Sequence, residues 1–247
     1  MINKKKRVLV TGAARGIGLA ITEKLLAEGF GVVGTARASA FPESWAKGKN
    51  FKGIHADLSD DTTLFKTLKP LFTSDCPDVL INNAGIFQDV DFIDSDEAWL
   101  DVWDTTMQVN LRASSLLSKW FIQAHLDNGS EGIIINIASR AAYRGDTQEY
   151  AAYAASKAGM VAFAKSIARD FGTKQIVAYS IAPGFIETDM ARESISVYGE
   201  EYLTKDSAFG VITQPGEVAN LAVFLASGQV KHMTGATFHI NGGSYMI

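Results

Sequence analysis

The stretch Val8-Leu9-Val10-Thr11-Gly12-Ala13-Ala14-Arg15-Gly16-Ile17-Gly18 gives the strongest indication of how this chain folds. Three apolar residues have the pattern of a short β-strand, and helical periodicity begins at the second glycine and runs over residues 16–28. A glycine-rich turn at such a junction lets the backbone approach a pyrophosphate, whose charge the free N–H groups of the helix N-terminus stabilise. The stretch therefore predicts a nucleotide site formed by Gly12, Arg15, Gly16, Ile17 and Gly18.

The alternation of short β-rich runs and longer helical patterns continues along the chain, as is typical of βαβ units. We expect strands at 7–11, 31–36, 52–56, 79–82, 132–138, 175–182 and 237–240, and helices at 16–28, 96–124, 150–171 and 215–226. The second helix has a length at which bends and interruptions are common. The pattern predicts an α/β fold, a single doubly wound parallel-sheet (Rossmann-like) domain over residues 1–247. Residues 187–214 lack clean periodicity and are interpreted as a short lid.

Composition limits the classes of partner. The 247 residues are 47% hydrophobic and 20% charged with a formal charge of −4, which gives no reason to expect a polyanion partner. A single cysteine, Cys76, excludes an intramolecular disulfide and a cysteine-based metal cluster. No run approaches the roughly 18 apolar residues needed to span a bilayer. We expect a cytoplasmic protein with no nucleic-acid, membrane or metal partner, and we interpret the basic residues 4–7 as a solvated lead-in to the first strand.

The ends of the next strands indicate which nucleotide is bound. The second strand ends in Gly34-Thr35-Ala36-Arg37, so no acid is present there to repel a 2′-phosphate, and Arg37 can pair with one. Arg15 supplies a second charge, although both arginines are also explained as solvated surface residues. The pattern favours NADP(H) over NAD(H). Further contacts with the adenosine half are expected after the third and fourth strands, from Asp57, Leu58, Asn83, Ala84 and Gly85.

A second group of polar residues is suited to proton transfer. Tyr153 and Lys157 lie four residues apart, so a helix places the phenol and the ammonium on one face. An isolated pair of this kind is more simply a half-buried aromatic beside a solvated lysine. Ser139, however, follows a strand at the edge of the sheet where ligands bind. Asn110 falls inside the long helix, where asparagine is unfavourable unless its polar group has a use.

With these motifs in order, the chain resembles the short-chain dehydrogenase/reductase family over essentially its whole length, and most of all the 3-oxoacyl-(acyl carrier protein) reductase branch. The resemblance rests on residues 11–18, 82–85, Asn110, Ser139, Tyr153, Lys157, 182–190 and 241–243.

The resemblance implies a role for each residue. Tyr153 acts as acid or base at the substrate oxygen, Lys157 lowers its pKa and holds the nicotinamide ribose, Ser139 orients the carbonyl, and Asn110 anchors a relay water. The nicotinamide and its phosphates are lined by Pro183, Gly184, Ile186 and Thr188. A homotetramer or homodimer is implied, because the family pairs the long helix and the Tyr153 helix across subunits.

The leading hypothesis is hydride transfer between NADP(H) and a small-molecule carbonyl/secondary alcohol pair, with 3-oxoacyl thioesters as one substrate class. Ser139 and Tyr153 are fourteen residues apart, one more than expected for that branch, so the intervening loop with Arg140, Tyr143, Arg144 and Asp146 is expected to be reshaped beside the substrate. The alternative is a catalytically silent NADP-binding regulator or redox sensor. A nucleotide-sugar dehydratase or epimerase would need more than the roughly sixty residues that follow Gly184.

Overall fold

A computed structural model of the protein describes residues 6–46, 48–188 and 199–247. Within these residues one parallel sheet of seven strands has the order β3-β2-β1-β4-β5-β6-β7. Three strands have the predicted bounds, and the other four differ by one residue at one or both ends. The strands are β1 Arg7–Val10, β2 Gly31–Ala36, β3 Phe51–His55, β4 Val79–Asn82, β5 Gly132–Ile137, β6 Ile176–Pro183 and β7 Thr237–Ile240.

Helices cover both faces of the sheet, which confirms the doubly wound Rossmann-like class. Val8 and Val10 pack on one face with the first and last helices, whereas Leu9 packs on the other face with the long central helices. Adjacent strand residues are therefore both buried, which explains the continuous apolar runs. The helices are α1 Gly16–Ala27, α2 Glu43–Ala46, α3 Asp61–Thr63, α4 Pro70–Ser74, α5 Asp96–Met107, α6 Ala113–Asn128, α7 Ala141–Arg144, α8 Ala151–Phe171, α9 Glu200–Thr204 and α10 Pro215–Ala226.

The long helix predicted at 96–124 is interrupted. A π-helical turn, Gln108–Arg112, separates α5 from α6, and α6 continues to Asn128, where Gly129 ends it in the left-handed conformation at φ 60°. π-Helical turns inside α-helices are frequent at functional sites, and this turn contains Asn110.

A buried amide network attaches α8 to the sheet. The Asn82 amide donates to Asn136 Oδ1 at 2.9 Å and to Ser118 Oγ at 3.1 Å, and the Asn136 amide donates to the Met160 carbonyl at 3.2 Å. These bonds join β4, β5, α6 and α8 in the interior. Because burying such groups is favourable only when they are hydrogen-bonded, the network fixes how α8 sits against the strand ends.

One expectation changes at the start of β1, and another falls partly outside the described residues. Lys6 is half-buried rather than solvated, because its ammonium donates to the carbonyls of Ala226 and Ser227 at the end of α10, and burial lowers its pKa. Of the predicted lid, residues 189–198 lie outside the described part of the chain, and the rest contains α9 and the turn that leads to α10. Within the described residues, no helix is long and apolar enough to cross a membrane.

Candidate active site

A cleft of about 510 Å³ opens at the carboxyl ends of the strands, where the strand order reverses between β1 and β4. It brings together all the predicted site residues except Gly18 and Asn110, which lie behind its wall. The predicted residues that line it are Gly12, Arg15, Gly16, Ile17, Arg37, Asp57, Leu58, Asn83, Ala84, Gly85, Ser139, Tyr153, Lys157, Pro183, Gly184, Ile186 and Thr188.

The glycine-rich turn is held from the neighbouring strand. Asn83 donates from its side-chain amide to the carbonyls of Thr11 at 2.9 Å and Gly12 at 3.1 Å. In return the Thr11 hydroxyl oxygen accepts from the backbone N–H groups of Asn83 and Ala84, both at 3.0 Å. The Asn83 side chain therefore braces the turn, and the contact with the ribose that was expected from the backbone of this run stays a prediction.

Glycine at two positions of the turn has a steric reason. Gly12 has φ 67°, a backbone conformation that side chains disfavour. A Cβ added to Gly18 would lie 2.0 Å from the Gly12 carbonyl oxygen and 2.5 Å from the Asn83 amide nitrogen. Gly18 thus permits the first turn of α1 to press against the loop, and it lines no part of the cleft.

The adenosine end carries exposed positive charge. Within the described residues, no carboxylate lies within ion-pair distance of Arg15 or Arg37. Asp57, at the end of β3, is occupied locally, because its carboxylate accepts from the Ser59 N–H at 2.9 Å and hydroxyl at 2.7 Å. Both guanidinium groups therefore remain able to pair with an anion.

The opposite end of the cleft holds Ser139 and Tyr153. Ser139 follows β5 directly, and its hydroxyl oxygen accepts from the Ala141 N–H at 3.1 Å. Burial raises the pKa of Tyr153 to about 12, although a hydrogen bond with the Ser139 side chain acts in the opposite direction and the nearby Asp146 carboxylate adds to the rise. The phenol consequently keeps its proton at neutral pH.

Lys157 lies one helical turn beyond Tyr153 and is 3% exposed. Its ammonium donates to the Ile137 carbonyl at 2.9 Å and lies 5.7 Å from the centre of the Tyr153 ring. Burial lowers the pKa of Lys157 to about 8. Lys157 was expected to lower the pKa of Tyr153. That role stays a prediction, and the groups that act on the pKa of Tyr153 here are its own burial, Ser139 and Asp146, while the ammonium is directed at the Ile137 carbonyl.

Asn110 is fully buried and connects two walls of the site. Its Oδ1 accepts from the Ile86 N–H at 2.8 Å, and its Nδ2 donates to the Ile86 carbonyl and to Ser156 Oγ, both at 3.0 Å. The side chain therefore ties the loop after β4 to α8. A Cβ on Gly85 would lie 3.2 Å from Asn110 Oδ1 and 3.3 Å from Lys157 Nζ, so Gly85 is tightly enclosed by both.

An aromatic wall was not predicted from the sequence. Phe87 stacks on Tyr150 with ring centroids 3.8 Å apart and meets the Tyr153 ring edge-on at 4.8 Å. Phe87 closely follows Gly85, and Tyr150 comes three residues before Tyr153, so nearness to the motifs was the only available signal.

The segment after β6 covers the glycine turn. A Cβ on Gly184 would lie 3.0 Å from the Asn241 Cα, and a Cβ on Gly16 would lie 3.2 Å from a Thr188 methyl carbon. Ile186 pairs with Thr213 in an isolated bridge. Asp189 and Met190, part of the same motif, lie outside the described residues.

A doubly wound parallel sheet, with a glycine turn at one end of a cleft and a serine, tyrosine and lysine at the other, defines a dinucleotide-binding protein. The model of a family described as Enoyl-(Acyl carrier protein) reductase matches residues 12–245. The 3-oxoacyl-[acyl-carrier-protein] reductase FabG of Vibrio harveyi is 36% identical, with 98% of each chain covered. The chain belongs to the short-chain dehydrogenase/reductase family of oxidoreductases.

Solved structures agree with this membership. A 4-hydroxyisoleucine dehydrogenase complexed with NADH has a TM-score of 0.89 at 28% identity, covering 97% of this chain and 98% of that one. A putative 2-deoxy-d-gluconate 3-dehydrogenase from Agrobacterium Tumefaciens with bound NADP has a TM-score of 0.87 at 31% identity, covering 97% and 96%.

Proposed function

We propose that the protein is an NADP(H)-dependent enzyme that interconverts a carbonyl compound and a secondary alcohol. The observation that carries the proposal is that Ser139 and Tyr153 line the same end of the cleft beside the buried Lys157, in the same cleft as the glycine turn. This combination provides a proton donor and a hydroxyl at one point, with a fixed positive charge behind them.

The residues of the cleft fit a nicotinamide dinucleotide. The space above Gly12 and Gly16, at the N-terminus of α1, would take the pyrophosphate, and Arg15 and Arg37 would take a 2′-phosphate. FabG relatives and an NADP-bound neighbour favour NADP(H), whereas the NADH-bound neighbour shows that the fold also accepts NAD(H). Adenine and ribose contacts are assigned to Asp57, Leu58, Asn83, Ala84 and Gly85, and nicotinamide contacts to Pro183, Gly184, Ile186 and Thr188.

The cofactor would supply the hydride, and the protein supplies the proton and the geometry. As negative charge develops on the substrate oxygen, the Ser139 hydroxyl and the Tyr153 phenol stabilise it, and Tyr153 donates its proton. A phenol with a pKa of about 12 is protonated at neutral pH, which suits reduction. With a pKa of about 8, Lys157 remains mostly charged and favours the phenolate that proton donation leaves behind.

The catalytic residues are supported by two positioning groups. Phe87 contacts the Tyr153 ring edge-on, and Asn110 ties the loop before Phe87 to α8. We therefore assign Asn110 a part in holding Tyr153 and Lys157 against the cofactor loop. A water relay through Asn110, which the family resemblance implies, stays part of the proposal.

The substrate is proposed as a class. The FabG relatives make 3-oxoacyl thioesters one candidate, whereas two structural neighbours are named for dehydrogenases of hydroxylated acids. We also propose a single-domain cytoplasmic enzyme that assembles as a homotetramer or homodimer. Leu100, 49% exposed beside the stacked Trp99 and Trp103 on α5, supports a subunit contact there. Sedimentation equilibrium tests the assembly, and a monomer would contradict it.

The experiment that tests the function is a screen of ketones, 3-oxoacyl thioesters, quinones and sugars, followed by the absorbance of NADPH. We expect oxidation of NADPH with at least one carbonyl class and slower oxidation of NADH. Tight NADPH binding without turnover across the panel would contradict the enzyme and favour the regulator described above.

A further inference from the structure

The loop between Ser139 and Tyr153 places two arginines in the catalytic end of the cleft. Arg140 directly follows Ser139, and Arg144 ends the short helix α7, and both line the cleft. Neither belongs to the proton-transfer group. Both lie at the end of the cleft that holds Ser139 and Tyr153, where the proposed substrate would bind.

Arg140, directly after Ser139, is an almost buried cation. It is 6% exposed, and its Nη1 donates to Ser244 Oγ at 2.6 Å, while its guanidinium carbon lies 4.5 Å from the centre of the Phe185 ring. In the described part of the chain, no carboxylate lies within ion-pair distance of it. Burial of an unpaired charge is costly, which explains why the pKa of Arg140 is lowered.

Arg144 is only loosely paired. Its Nη2 lies 4.0 Å from Asp146 Oδ1, the limit of an ion pair, and the two side chains are 30% and 19% exposed. The Asp146 carboxylate acts electrostatically on both Tyr153 and Arg140, so this pair lies near the reacting phenol as well as the buried guanidinium. Arg144 therefore retains donors for a further anion.

We propose that Arg140 and Arg144 form an anion subsite for a carboxylate of the substrate, so that the enzyme acts on oxo acids and hydroxy acids. The inference rests on the proposed function of the same cleft. Guanidinium groups bind carboxylates bidentately, and a carboxylate next to Arg140 would give this buried charge an ion-pair partner that the described residues do not supply.

The other charges at this end of the cleft allow an anion. Lys157 adds a third cation, Asp146 and Glu149 are acids that line the same region, and Asp206 also acts electrostatically on Arg140. Asp146 already faces Arg144, and among the described residues neither Asp146 nor Asp206 lies within ion-pair distance of Arg140. An arriving carboxylate would share Arg144 with Asp146 and would lie closer to Arg140 than either acid does.

Binding of matched acids and esters tests the subsite without requiring turnover. The probes are pyruvate, acetoacetate and levulinate, each compared with its methyl ester, added to enzyme loaded with NADP⁺, which has no hydride to give. Dissociation constants come from calorimetry. We expect at least one acid to bind about tenfold or more tightly than its ester, because a guanidinium forms stronger hydrogen bonds with a charged carboxylate than with a neutral ester. Equal binding of all three pairs would overturn the subsite.

Variants then assign the preference to the arginines. Arg144→Ala should remove the preference of the acid over the ester while leaving the ester's affinity unchanged, and Arg169→Ala, on the exposed last turn of α8, should change neither. Ser244→Ala removes the hydrogen-bond partner of Arg140 and should preserve the preference. An equal loss for acid and ester in Arg144→Ala would mean a structural role and overturn the proposal.

Three further outcomes are decisive. Tighter binding of dihydroxyacetone phosphate than of any oxo acid would overturn the carboxylate and indicate a phosphate. A carboxylate preference in an enzyme that turns over no carbonyl would leave the subsite standing and refute the proposed activity. Turnover of neutral ketones as fast as of oxo acids would support the proposed activity and refute the subsite.

Discussion

The two ends of the cleft are made from different parts of the chain. At the nucleotide end the working groups are backbone N–H groups and spaces left by glycines, with Arg15 and Arg37 exposed beside them. At the catalytic end the working groups are side chains, and Lys157 and Arg140 are almost fully buried there. The nucleotide end depends on glycines, which have no side chain, and the catalytic end depends on charged side chains that are buried away from water.

The difference predicts how each end fails. A backbone site is destroyed by an added methyl group, because its atoms are held within van der Waals contact of one another. A site of buried charges tolerates changes of shape better than changes of charge, because desolvation sets the pKa values of Tyr153 and Lys157.

The largest effect is expected for Gly18→Ala. The new Cβ would meet the Gly12 carbonyl oxygen at 2.0 Å, so the turn must move, at a cost of about 3 kcal/mol or more in unfolding free energy. Affinity for NADPH should fall with it, as measured by fluorescence titration. Gly216→Ala is the control, since no atom lies within 4 Å of its added Cβ. Wild-type NADPH affinity in Gly18→Ala would contradict the steric account.

Lys157→Met tests the charge at the other end. The pKa of Lys157 is about 8 in the folded protein against 10.5 for the free side chain, so between these values the unfolded chain binds a proton that the folded one lacks. Wild-type stability should therefore gain on the order of 3 kcal/mol as pH rises through this window, and the variant should lose that gain. Turnover should fall sharply at every pH.

Thermal denaturation of the cofactor-free wild type and variant from pH 7 to pH 10 makes the comparison. Stability lost by ionisation of Tyr153 begins only above its reference value of 10.0, so it lies outside this range. Parallel pH profiles for the two proteins would show that Lys157 is not held at a lowered pKa.

The smallest effect is expected for Arg37→Asp. Arg37 is exposed, so its pairing with a 2′-phosphate is screened by water, and the preference for NADPH over NADH should fall about tenfold. Arg169→Asp makes the same change of charge away from the cleft and should leave the ratio of the two dissociation constants unchanged. An unaltered ratio in Arg37→Asp would remove the case for a 2′-phosphate site.

The sequence predicted the sheet well for a physical reason. Strands buried on both faces have unbroken apolar runs such as residues 79–81, and glycine turns and proline starts limit the helices. The helical region between Asp61 and Ser74 was missed, because it combines three short segments, although Asp60 caps its start through the N–H groups of Thr62 and Thr63.

Site residues were predictable from the sequence where they belong to a local motif, whereas the residues that contact them in the fold were not. Tyr153 and Lys157 are visible from their spacing, whereas the contact of Asn110 with Ile86 depends on a loop that returns from another strand. Phe87 and Tyr150 have no local pattern that marks them as a stack. Lys6 appeared solvated, because nothing near it in sequence shows that the end of α10 packs against it.

The central claim is that Tyr153 performs the proton transfer at a site separate from nucleotide binding. Turnover and the NADPH dissociation constant of Tyr153→Phe, measured on one preparation with the best substrate from the screen, test it most directly. The account predicts a fall in kcat of about 10²–10⁴-fold with NADPH affinity unchanged, because the ring contact with Phe87 remains and only the hydroxyl is lost. Undiminished turnover, or a loss explained by weaker NADPH binding, would contradict it.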